Sequence, residues 1–191
     1  MKVGLFFGSF NPVHIGHMAI ACYLAEYTDL DQIWFVLSPH NPQKQRESLL
    51  SFHHRLEMLH LAIGDDPRFK VSDIEDKMPL PSYTIDTLTY LTEKYPENTF
   101  GLIIGSDNLR SFHRWKNPEE IINKFTRYVY PRTNCEDVSI KDHQNIYFVN
   151  APKIEISSTF IRESISNGKD VKYFLPLKVY EYIDKMNFYK K

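Results

Sequence analysis

The chain is short of three things, and each shortage excludes a class of protein. Of its 191 residues only two are cysteine, Cys22 and Cys135, far apart and in neither a C-x-x-C pair nor a Cys/His ligand spacing. A disulfide framework and a structural zinc therefore have no support, and a reducing cytoplasm is the expected location. Net charge is nearly absent: 23 basic against 24 acidic residues leave −1, without the global positive field that non-specific nucleic-acid binding or a polybasic membrane surface requires. Neither nucleic acid nor membrane is an expected partner, and any anion must be held locally. Long apolar runs are missing too. Stretches such as Ile33–Leu37 fall far below the ~20 residues of a membrane span. Met1-Lys2 lead straight into a strand pattern with no small-residue cleavage site, so an unprocessed soluble chain is expected.

What the chain does have is 42% hydrophobic residues, enough at this length for one domain over 1–191. Apolar runs at Lys2–Phe7, Ile33–Leu37 and Phe100–Ile104, each closed by Gly or Ser-Pro, read as buried parallel strands. Phe69–Asp73, Tyr128–Tyr130 and Ile146–Val149 read as further strands. Helical spacing over about Gly16–Tyr27, Ser51–Ile63 and Thr84–Lys94 alternates with them, and C-terminal helices follow from about residue 157. This alternation predicts a doubly wound α/β fold with a mostly parallel sheet. Ligands of such sheets bind beyond the carboxyl ends of the strands, which directs attention to the loops after Phe7, Leu37 and Ile104.

The first of these loops reads Gly8-Ser9-Phe10-Asn11-Pro12-Val13-His14-Ile15-Gly16-His17. It lacks the glycine spacing of a dinucleotide fingerprint and the lysine of a P-loop. It has instead a glycine that admits a ligand to the backbone and two histidines three apart where a helix begins. The first helical turn carries unpaired N–H groups and the positive dipole end, so phosphate is favoured there. Residues three apart share a helix face, which lets His14 and His17 reach one anion, with Gly16 leaving the approach open. From the chain's own His and Gly content, H-x-G-H arises by chance in roughly one such sequence in a hundred; its position at a strand-to-helix turn raises its weight.

These residues resemble the signature of the H-x-G-H nucleotidyltransferases, most closely the bacterial nicotinate-nucleotide adenylyltransferase family. Ser38-Pro39-His40-Asn41-Pro42-Gln43-Lys44 is similar to that family's second-strand loop, and Pro81-Ser82-Tyr83-Thr84-Ile85-Asp86-Thr87-Leu88 to its pyridine-recognition segment. Gly105-Ser106-Asp107 is similar to its G-x-D turn, and Ile156-Ser157-Ser158-Thr159-Phe160-Ile161-Arg162 to its I-S-S-T-x-I-R motif. The resemblance implies a Rossmann-like fold and transfer of AMP from ATP to nicotinate mononucleotide, giving nicotinate adenine dinucleotide and pyrophosphate in NAD biosynthesis. It implies Mg2+ carried on the ATP phosphates, with no metal site built from the chain's own side chains. The competing readings are a sister enzyme acting on nicotinamide mononucleotide or phosphopantetheine, and a non-catalytic nucleotide sensor. Oligomeric state is not readable, and a homo-oligomer is compatible with the composition.

Under that resemblance His14, His17, Lys44 and Arg162 carry catalysis, with His17 the first candidate for stabilising the transition state. ATP falls to Gly8, Ser9, Phe10, His14, His17, Gly105, Asp107, Ser157, Ser158, Thr159 and Arg162. Ser157 or Ser158 would also cap a helix, and Arg162 follows Ser158 by four, on the same face. Asp107 reads as a contact to the nucleoside side, as the N-cap of the helix leading to Phe112, or as both. Lys44, Tyr83, Thr84, Trp115 and Arg132 fall to the mononucleotide: Lys44 and Arg132 for phosphate, Trp115 for stacking on the pyridine, and Thr84 for a helix-start N–H to a carboxylate. Arg46 is balanced between a ligand contact and a solvated loop. The 42–49 loop is a candidate to close over substrate. His53, Glu57 and His60 fall on one helix face at a spacing that could hold a metal, but His54 and Arg55 on the same helix point to a solvated face instead.

Overall fold

A computed structural model describes residues 1–39, 49–132 and 145–191. Lys44, Arg46, most of the 42–49 loop and Cys135 lie outside the described residues. Six strands, β1 (Lys2–Gly8), β2 (Gln32–Leu37), β3 (Phe69–Ser72), β4 (Thr99–Gly105), β5 (Thr126–Tyr130) and β6 (Ile146–Phe148), form one sheet. Its order is β3-β2-β1-β4-β5-β6, and every neighbouring pair is parallel. The sheet expected to be mostly parallel is thus parallel throughout among the described residues.

Parallel neighbours need crossovers, and these place helices on both faces. The helices are α1 (Ile15–Tyr27), α2 (Phe52–Ile63), α3 (Thr84–Lys94), α4 (Ser106–Leu109), α5 (Pro118–Lys124), α6 (Ser158–Ser166) and α7 (Leu177–Lys185). Because successive strand residues point to opposite faces, β1 and β2 each feed two cores. Phe6, Ile33, Phe35 and Leu37 pack with Leu24, Leu59, Ile161 and Val179 of α1, α2, α6 and α7. Val3, Leu5, Trp34 and Val36 pack with Ile85, Leu88, Leu91 and Ile121 of α3 and α5. β5 starts two residues before the Tyr128 expected from hydrophobicity, since its second residue is the buried Arg127, a charge that breaks the apolar run from which the strand was read. Among the described residues no helix is long and apolar enough to cross a membrane.

The chain winds from β1 outward to β3, then returns to the other side of β1 as β4. The carboxyl ends of β1 and β4 therefore flank the crevice where the strand order reverses, the place at which such sheets take ligands.

Candidate active site

The loop leaving β1 is tightly determined. A Cβ on Gly8 would stand 2.9 Å from the Phe10 ring, and that ring cannot move aside cheaply because it is buried and edge-packed on Phe6, Phe35 and His17. Phe10 itself holds a left-handed φ of 41°, which a bulky residue adopts only when its surroundings enforce it. Since Phe10 was expected to contact ATP, its position narrows that expectation: the ring belongs to the core, and the backbone is what it presents to a ligand.

His14 is the N-cap of α1, in extended conformation, and His17 lies in the first turn. Their rings stack with centroids 3.7 Å apart. His17 Nδ1 accepts the His14 backbone N–H at 3.2 Å, which leaves the His17 proton on Nε2. His14 is only 3% exposed. Burial, aided by the positive Arg132, lowers its pKa to about 3, so it is a neutral imidazole at pH 7. Its Nδ1 is buried without a hydrogen-bond partner among the described residues, and a Cβ on Gly16 would press to 3.0 Å from that nitrogen.

Arg132, two residues past β5, reaches the same place. It lines a small pocket with His14, His17, Gly16 and Tyr130. Its backbone N–H donates to Ser106 Oγ at 2.9 Å, its guanidinium lies 5.3 Å from the Tyr130 ring centre, and its buried Nε has no hydrogen-bond partner among the described residues. The structure thus brings Arg132 to the histidines. At the end of β4 a Cβ on Gly105 would displace the exposed Asp107 carboxylate and press to 3.2 Å from Arg132 Cγ, so glycine lets these two side chains lie close over the turn. The N-cap there is Gly105, with Asp107 in the first turn of α4. This corrects the capping expectation for Asp107: the helix begins two residues earlier, directly from the strand, and the carboxylate is left exposed.

The start of α6 is stitched to the first loop. Ser157 is its N-cap, its oxygen accepting the Phe160 N–H at 3.1 Å. Ser158 Oγ donates to the Pro12 carbonyl at 2.9 Å, and Arg162 donates to the Asn11 carbonyl at 2.9 Å and to Thr159 Oγ1 at 3.3 Å. The I-S-S-T-x-I-R motif therefore does meet the H-x-G-H loop, but several of its donors hold that loop's backbone.

On the other side of the crevice, Tyr83 is the exposed N-cap of α3 and Thr84 its first residue. Lys116 Nζ lies 4.8 Å over the Tyr83 ring and pairs with Asp86 at 2.8 Å. This draws the segment carrying Trp115 to the segment carrying Tyr83 and Thr84. Trp115 is half-buried, its ring 5.0 Å from that of Phe112.

Three residues escape a reading by motif. Arg55 was taken as part of a solvated helix face, and the structure corrects this: it is 1% exposed. The available signal was helical phase, because Arg55 precedes the buried Met58 and Leu59 by three and four. Glu75 is buried in a 3-10 turn at Ile74–Lys77, its carboxylate accepting from Ser82 and Thr87 hydroxyls at 3.1 and 2.9 Å. Burial raises its pKa, against the opposing effect of hydroxyl donors that include Ser38. Tyr189, near the end of the chain, donates to Asn11 Oδ1 at 2.8 Å. Among the described residues, no three His, Cys, Asp or Glu side chains are grouped to hold a metal.

The comparisons with known proteins bear on this geometry. A cytidylyltransferase-like family model matches residues 5–164. The chain is 53% identical over 193 residues to a probable nicotinate-nucleotide adenylyltransferase of Flavobacterium johnsoniae, covering all of both chains. It is 54% identical over 191 residues to a protein of the same name from Christiangramia forsetii, covering 99% of this chain and 98% of that one. Among solved structures, the Plasmodium falciparum nicotinic acid mononucleotide adenylyltransferase complexed with NaAD superposes with a TM-score of 0.84 at 23% identity, over 98% of this chain and 97% of that chain. At that identity the likeness speaks for the fold.

Proposed function

The chain belongs to the cytidylyltransferase-like family, and from that premise we propose that it is a nicotinate-nucleotide adenylyltransferase. It joins the AMP moiety of ATP to the phosphate of nicotinate mononucleotide, with release of pyrophosphate. The observation that carries the reading is the meeting of two stacked histidines, one kept neutral by burial and the other carrying its N–H on Nε2, with Arg132 at the N-terminus of α1, in a chain that matches so-named relatives along its whole length.

The chemistry asks for such a site. A phosphomonoester has its second pKa near 6 and is mostly dianionic at pH 7, so the attacking oxygen needs no general base. Its oxygen forms a bond to the α-phosphorus as the bond to the bridging oxygen breaks, and the electron pair leaves with pyrophosphate. What the protein contributes is placement and stabilisation of developing charge. His17 donates through Nε2, Arg132 supplies a fixed positive charge, and the first turn of α1 supplies N–H groups and its dipole. A phosphate oxygen would also complete the unpartnered polar atoms of His14 and Arg132, which are costly to leave buried alone. Lys44 and Arg162 are assigned to the phosphates, Gly105 and Asp107 to the nucleoside, and Tyr83, Thr84 and Trp115 to the pyridine. Mg2+ would be held by ATP oxygens and water, and bound there it would neutralise phosphate charge.

The test is pyrophosphate release from ATP and Mg2+ with nicotinate mononucleotide, run beside the amide mononucleotide and phosphopantetheine. A kcat/KM at least ~10-fold higher on the acid supports the proposal. A preference for another acceptor would refute the substrate, and nucleotide binding without pyrophosphate release would refute the enzyme.

A further inference from the structure

Arg55 is a buried guanidinium that makes no ion pair among the described residues and instead holds backbone. Its Nε donates to the Leu50 carbonyl at 3.0 Å, one terminal nitrogen to the carbonyls of Ser9 and Ser38 at 2.8 Å each, and the other to the Pro39 carbonyl at 2.8 Å. Those carbonyls belong to the loop after β1, the end of β2 and the approach to α2. Ser38 continues the chain of contacts, since its side chain hydrogen-bonds Glu75, which in turn accepts from Ser82 and Thr87 on either side of Tyr83 and Thr84.

We propose that Arg55 is a positioning residue for adenylyl transfer, setting the separation between the nucleotide loop at Ser9 and the substrate-side segment reached through Ser38 and Glu75. The inference rests on the proposed reaction, because only a two-substrate transfer needs those two loops in fixed register. A planar group with five N–H donors in a rigid fork satisfies four carbonyls from three segments at once; a lysine, with three donors on a point charge, cannot reproduce that fork. A uniformly structural clamp would lower stability and substrate affinity together. A spacing device acts differently: each substrate still finds its own half-site, and what fails is the approach of the mononucleotide oxygen to the α-phosphorus. Misplacement of ~1 Å at that step is enough for a ~10²-fold loss.

The experiment uses Arg55→Lys and, as a variant that leaves the buried charge in place, Ser38→Ala. Wild type is assayed first; if it fails to release pyrophosphate, the functional reading falls, whatever Arg55 does. With active wild type, the Kd of ATP and of nicotinate mononucleotide are measured separately by calorimetry, and kcat is measured well below each variant's Tm. We expect Arg55→Lys to leave both Kd values within about threefold while kcat drops at least ~30-fold, and Ser38→Ala to show the same split with a fall of ~5-fold. Unchanged kcat in folded Arg55→Lys, or Kd values that weaken in step with kcat, would overturn the proposal. If Arg55→Lys does not fold, Ser38→Ala decides alone: a kcat fall with retained Kd supports the spacing role, and its absence rejects it.

Discussion

The two ends of the crevice, proposed to take phosphate and pyridine and called by those names, handle buried ionisable groups in opposite ways. At the phosphate end, burial near Arg132 keeps His14 neutral, and the group lies beside an anion-attracting helix start built from residues close together in sequence. At the pyridine end, Glu75 is buried among hydroxyls from Ser82 and Thr87, with Arg55 clamping backbone nearby, and the partners come from distant parts of the chain. In the proposed reaction the first end thus supplies donors to a charge that arrives. The second has its donors and acceptors already engaged within the protein, which suits holding geometry rather than making charge contacts. Chemistry and alignment are divided between them.

The sharpest way to break this division is to remove one donor from the phosphate end. His17→Ala should lower kcat by ~10²–10³-fold, the range for losing one preorganised donor to a developing charge, while the Kd for ATP changes by less than about tenfold. Equal losses in both would mean that His17 binds ground-state phosphate and does not act in the transition state. Next in size is Gly8→Ala. The added methyl must displace the buried Phe10 ring, and overpacking of this kind costs ~1–3 kcal/mol; thermal denaturation should report it, with activity falling because the first loop shifts.

The two ends should also differ in the sign of their pH dependence. His14 has a native pKa of about 3 against an ordinary value of 6.5, so between those values the unfolded chain binds the extra proton and stability rises with pH. That contribution is complete above ~6.5 and lost on acidification, with an upper bound of about 5 kcal/mol. Glu75 has its native pKa raised, so the native state holds the proton longer and stability falls as pH climbs above the ordinary value of 4.5. Urea midpoints followed across pH should show the acid-side slope reduced in His14→Asn and the opposing slope reduced in Glu75→Gln. Slopes unchanged in both variants would contradict the burial argument.

The division also explains what could be read from the sequence. The strand–helix alternation, the strand-end loops and the H-x-G-H turn are local patterns, so the fold class and the placing of His14 and His17 at the start of α1 were legible. Ser157 as a cap was legible for the same reason, since capping needs only neighbours along the chain. Arg55 was misread because a charged residue in a run of histidines looks solvated, and its partners at Ser9 and Ser38 are 46 and 17 residues away. That the Phe10 ring faces the core was not legible, because a site motif does not say which side chains face inward. Tyr189 could not be found by motif at all: its contact to Asn11 spans 178 residues.

The smallest effect tests whether the pyridine end contains any direct charge contact. Lys116 lies over Tyr83 and pairs with Asp86, both partners more than 40% exposed, and such surface pairs contribute ~0–1 kcal/mol. If Lys116 only ties the Trp115 segment to α3, Lys116→Met should raise the KM for nicotinate mononucleotide about threefold, leave kcat nearly unchanged, and affect the amide substrate equally, because a tether is indifferent to substrate charge. A loss confined to the acid substrate would show that Lys116 meets the carboxylate itself. The pyridine end would then supply charge as the phosphate end does, and the separation of alignment from charge contact would fail at that residue.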